Sequence, residues 1–109
     1  MSLSSKFEII EENEMGVVAM CDECDNIHIE IGAFTSVVSQ KSFEDICRYL
    51  KSRKRYANEL IVETPTSEKI LVPVSNNIFL SLTLPEFRKV VDLFEMALHM
   101  LTVKRIIQL

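Results

Sequence analysis

The run PEFRKVVDLFEMALHMLTVKRIIQL, beginning at Pro85, constrains the fold more than any other part of the sequence. Thr83 can cap a helix, Pro85 needs no amide partner in a first turn, and Glu86 suits the positive end of the helix dipole. The spacing predicts a helix over at least residues 85–104. One stripe, Phe87, Val90, Val91, Phe94, Leu98 and Leu101, is the face that covers a sheet. A second stripe, Leu93, Met96, Met100, Val103 and Ile107, follows the three-and-four spacing of paired helices. Together they make the helix apolar over more than half its circumference. Such a helix either inserts deep between layers of its own chain or packs against a second subunit. Methionines suit an adaptable interface, and the first half of the chain has no counterpart to the extension. The reading is therefore a homodimer that uses the second stripe. A membrane is excluded as partner, because Asp92, Glu95, Lys104 and Arg105 interrupt the most apolar stretch, and a span needs roughly 18 apolar residues with few charges.

What lies under the helix is legible from alternation. The segment Ile27-His-Ile-Glu-Ile31 places three isoleucines on one face of a strand and His28 and Glu30 on the other. Strands are expected over 16–20, 27–31 and 34–38, followed by a helix over 41–52 capped by Ser39 or Ser42. The second half repeats the order, with strands over 59–64, 69–74 and 78–83 before the long helix. Pro73 should mark an edge or strand end, since proline donates nothing to a ladder. Shifting the chain by 44 residues lays Phe43 on Phe87, Ile46 on Val90, Cys47 on Val91 and Leu50 on Phe94, which suggests a duplication with copies about 16–52 and 59–104. The expected fold is α+β. Two β-β-β-α halves form antiparallel sheet, as six strands together or three and three, covered by two helices of which the C-terminal one is longer. At 109 residues the whole chain is one domain, 1–109.

Chemistry is concentrated in one place. Cys21-x-x-Cys24 falls in the turn between the first two expected strands, and His28 follows four residues later. A redox pair of this spacing sits at a helix N-terminus, where the dipole lowers a thiol pKa. Here Asp22, Glu23 and Asp25 surround the pair and are expected to raise it, which argues against redox catalysis. A hairpin carrying Cys-x-x-Cys is also the shape of a zinc knuckle, with Cys21 and Cys24 as first ligands and His28 as third by number. Structural zinc takes four ligands, and no second pair is present to complete the set. A third reading makes the two cysteines a reduced pair that shapes the turn. Cys47 lies on the apolar stripe of the first helix with Phe43, Ile46 and Leu50, and reads as a core residue.

The rest narrows the function classes. The chain has two histidines and lacks a glycine-rich phosphate loop, a Gly-x-Ser-x-Gly elbow and a His-Glu-x-x-His pair, so an enzyme is not expected. Arg48, Lys51, Arg53, Lys54 and Arg55 form a basic run that could contact an anion, although a helix C-terminus collects cations for dipole reasons alone. The net charge of −4 disfavours nucleic acid as a partner. The N-terminus lacks the basic start and apolar core of a signal peptide, and three cysteines leave one unpaired. Both point to a cytoplasmic, reducing setting. The run CDECDNIHIEIG, followed after a strand by Ser39-x-x-x-Phe43, resembles a Cys-x-x-Cys, Ile-His, Gly pattern of small bacterial proteins. The resemblance covers the first half of the chain and implies no activity. The expectation is a small cytoplasmic, non-enzymatic binding or regulatory module, self-associating through its long helix and needing no cofactor. The alternative is a zinc-binding module built on the Cys21–Cys24 turn, with nucleic acid as its possible contact.

Overall fold

The computed structural model describes residues 6–107. Four strands, β1 (Phe7–Asn13), β2 (Gly16–Cys21), β3 (Ile27–Ile31) and β4 (Phe34–Val38), form an antiparallel meander in chain order. Helix α1 (Gln40–Lys54) and a short 3-10 turn (Ala57–Leu60) lead to a second meander of β5 (Ile61–Glu63), β6 (Glu68–Ser75) and β7 (Ile78–Leu82). Helix α2 (Leu84–Ile107) ends the described chain. The fold is α+β, with two antiparallel sheets and two helices, the C-terminal one longer.

Local chemistry explains the element starts. Ser39 accepts a hydrogen bond from the Ser42 amide at 3.1 Å and so caps α1. Thr83 and Glu86 form a capping box on α2: the Glu86 amide donates to Thr83 Oγ1 at 3.2 Å, and the Thr83 amide donates to Glu86 Oε1 at 2.9 Å. The hydrogen bonds from Thr83 hold the Glu86 carboxyl below its ordinary range. Gly32, at φ 59°, turns β3 into β4. Gly16 answers a different need, because a Cβ there would stand 2.0 Å from the carbonyl oxygen of Glu30 on the neighbouring strand.

One expectation is corrected. The sheets hold four and three strands, so the halves share an order of elements while the proposed duplication gains no support. The additional strand, β1, falls in FEIIEEN, where a register shift between Ile9 and Glu11 breaks the alternation. Pro73 behaves as anticipated. Although β6 is the middle strand, β5 pairs only with its start, Glu68–Ile70, and the ladder to β7 is irregular just after the proline.

The core is one cluster shared by both sheets. Val18, Ile27 and Ile29 from the first sheet, Phe43 and Leu50 from α1, and Ile70 and Leu82 from the second sheet meet on α2. From α2 come Phe87, Val90, Val91, Phe94, Ala97 and Leu101, all buried, with Leu98 partly so. Phe94 stacks on Phe43 with ring centroids 5.4 Å apart.

The second stripe of α2 divides. Leu93 is only 1% exposed and belongs to this core, so it is not available to a second subunit. Strand β1 packs along the helix, where Val103 is half-buried and Lys104 pairs with Glu8. Met96, Met100 and Ile107 stay 47%, 43% and 77% exposed, and Ile106 joins them. No helix among the described residues is long and apolar enough to cross a membrane.

The two glycines should respond differently to the same change. Gly16→Ala forces a Cβ into a neighbouring backbone and should cost about 2–3 kcal/mol in urea unfolding. Gly32→Ala meets open space and should cost only the left-handed backbone penalty of about 1 kcal/mol. Equal losses would contradict the close approach at Gly16.

A candidate metal centre at the end of the first sheet

Strand register determines which side chains can meet. In the β2–β3 ladder Ala19 lies opposite His28 and Met20 opposite Ile27. Side chains alternate, so Met20 and Ile27 point into the core and are buried, while Cys21 and His28 share the outer face. Cys24 comes from the connecting turn.

That turn is tied on several sides. The Cys21 amide donates to Asn26 O at 3.0 Å, and the Asp25 amide donates to Cys21 O at 3.1 Å. The Asp22 amide donates to Lys6 O at 2.9 Å, which links the turn to the chain entering β1. Gln40, at the start of α1, donates from Nε2 to Asp25 O at 3.2 Å. Asp25 takes φ 58°, a left-handed conformation that aspartate tolerates better than most residues. The turn folds back on its own first residue, and the Cys24 amide donates to Cys21 Sγ at 3.4 Å.

The ligating atoms of Cys21, Cys24 and His28 all lie within 4.8 Å of one another. A tetrahedral ion with sulfur at about 2.3 Å and nitrogen at about 2.0 Å needs its ligands roughly 3.5–3.8 Å apart, which small side-chain rotations supply. His28 follows Cys24 along an antiparallel strand, and the hairpin returns it beside Cys21 instead of carrying it past the turn. Phe7, opposite Cys21 in the β1–β2 ladder, sets its ring edge-on to the imidazole with centroids 4.6 Å apart. This orienting contact is not legible in the sequence, because the register shift in β1 hides the strand that brings Phe7 beside His28. Ile9 and Val37 flank the same face, in register with Ala19 and His28, and stay 57% and 53% exposed.

The electrostatics of the pair differ from expectation. The Cys21 thiol is lowered from its ordinary value by a hydrogen bond from Cys24 and by backbone N–H groups of Cys24 and Glu23; the negative charge of Glu23 opposes this more weakly. Cys24, as donor, is raised chiefly by its bond to Cys21. The anticipated rise from the surrounding acids therefore fails at Cys21, where short-range hydrogen bonds to sulfur outweigh charges spread into solvent. Cys47 is of another kind: burial, then Glu44 and Glu95, push its thiol up to about 12. Its Sγ donates to Phe94 O at 3.6 Å in the core.

Of the basic residues, Arg48 and Lys51 line one cleft together with His99. Arg48 pairs with Asp45 at 2.9 Å, and Lys54 lies 3.9 Å from Asp92 and 3.6 Å from Glu95. Arg53 stacks over the Tyr49 ring at 5.2 Å. Lys51 and Arg55 are exposed at the end of α1. His99 lies on α2, exposed, and is not part of the group that converges at the cysteine turn.

A family model described as a family of unknown function (DUF6686) matches residues 3–108, and the chain belongs to that family. No curated protein and no solved structure matches it.

The three cysteines are free, and their environments predict distinct reactivity. In metal-free native protein, Cys21 and Cys24 should react promptly with a disulfide reagent near pH 8, and Cys47 only on unfolding. Prompt reaction of Cys47 in the folded protein would contradict its burial.

Proposed function

We propose that this member of the DUF6686 family is a small, non-enzymatic metal-binding module that holds a zinc ion through Cys21, Cys24 and His28. The single observation that carries the reading is the convergence of two sulfurs and an imidazole within 4.8 Å. Two thiolates and a neutral imidazole favour zinc over the hard cations calcium and magnesium, which take oxygen ligands. Metal binding must displace both thiol protons, the one on Cys21 held less tightly and the one on Cys24 more so. The hairpin supplies a largely prearranged cradle, and Phe7 steadies the imidazole. With two thiolates neutralising the dication, a fourth ligand would be water or a donor from a partner.

Self-association through α2 is a second reading, favoured by the exposure of Met96, Met100, Ile106 and Ile107 in the C-terminal half of the helix.

Zinc titration of chelator-treated, reduced protein should show about one ion per chain. Cys21→Ser and Cys24→Ser should abolish tight binding, and Phe7→Ala should weaken it by about tenfold as loss of an orienting contact does. Free zinc at 100 times its Kd should stabilise the fold by about 2.7 kcal/mol. Protons compete for the same ligands, so affinity should fall as pH drops and recover as it rises. Wild-type affinity in both cysteine variants would overturn the zinc reading. Light scattering on the same samples tests the other: it expects a dimer that Met100→Lys disrupts, and a wild-type mass of one chain at micromolar concentration would dismiss it.

A further inference from the structure

The two sheets do not hydrogen-bond to each other. Strand β4 ends the first sheet, and the two helices span the distance to the second. Along this seam lies a cleft of about 200 Å³, walled by Phe34, Ser36 and Val38 of β4, Val72 and Leu80 of the second sheet, and Phe94 of α2. Its lining carries no charged side chain, and Ser36 supplies its one side-chain hydroxyl. Val38, Val72 and Leu80 pack against the core and yet remain only half-buried, and Phe34 is half-buried as well. Ser36, on the inward face of β4 between Phe34 and Val38, is too small to close the gap where the sheets part.

We propose that this cleft is a binding site for a small, neutral, apolar molecule. Its volume sets the size from both sides. It exceeds the roughly 150 Å³ of a dry apolar cavity able to hold benzene, and it falls below the roughly 300 Å³ at which pockets begin to take drug-sized ligands or cofactors. A single ring or a short alkyl chain fits. The lining sets the chemistry: a carboxylate entering the cleft would lose its water and find no cation, whereas an alcohol can use the Ser36 hydroxyl. The site lies on the inner face of the first sheet, opposite the cysteine turn, and does not depend on metal.

Methyl-labelled protein titrated with hexanol, and separately with hexanoate at pH 7, provides the test by NMR. Hexanol should shift the methyl signals of Ile29, Val72 and Leu80 saturably, and hexanoate should bind at least about tenfold more weakly. Ser36→Leu and Val72→Phe fill the cleft from opposite walls, and either variant that keeps native signal dispersion should lose hexanol binding. No saturable shift, equal binding of the two probes, or undiminished binding in a folded filled variant would overturn the proposal. Shifts of the same methyls on raising protein concentration alone would assign the cleft to a second copy and overturn it equally. Should both variants fail to fold, the comparison of hexanol with hexanoate on the wild-type chain decides.

Discussion

The burial of one helix, α2, holds this structure together. The two sheets share no hydrogen bonds, and each is too small to bury its inner face alone. Phe87, Val90, Val91, Phe94, Ala97 and Leu101 give both sheets and α1 a common surface to pack on. Ala97 is fully buried, and a small side chain there lets neighbours approach closely. Removing apolar surface from water at about 25 cal/mol per Å² is the main favourable contribution in such a fold, and here it is concentrated on one element. The same arrangement explains where packing is incomplete: the sheets meet α2 well and meet each other poorly, which leaves the cleft beside β4.

The candidate centre is a consequence of sheet geometry on the opposite side. Because the core claims Met20, Ile27 and Ile29, alternation sends Cys21 and His28 outward together. The hairpin turn then has only to fold Cys24 back over Cys21, which its amide bond to that sulfur accomplishes. A buried inner face thus fixes the outer triad without any residue of the triad entering the core. Substitutions at the centre should therefore alter metal affinity with little effect on folding of the metal-free chain.

Much of this was legible in the sequence, for physical reasons. The Ile27–Ile31 alternation and the stripes of α1 and α2 report burial on one face, which is what periodicity measures. Strand β1 was not legible because its register shift interrupts the alternation and its acids resemble a solvated leader. This has two consequences. The sequence does not show Phe7 as the neighbour of His28, and it does not show that β1 packs along part of the second stripe of α2. Spacing places Leu93 on the second stripe because it shows which residues share a face, whereas a helix wedged between layers buries more than one face. The thiol electrostatics are not legible because the acids are visible in the sequence and the backbone amides directed at Cys21 are not.

The central claim is that two sulfurs and one imidazole meet at a single ion, and X-ray absorption at the zinc edge of the loaded protein tests it most directly. The first shell should contain two sulfurs at about 2.3 Å and imidazole nitrogen at about 2.0–2.1 Å, with the sulfur signal lost in Cys21→Ser. A shell of oxygen and nitrogen alone in the wild-type protein would contradict the account.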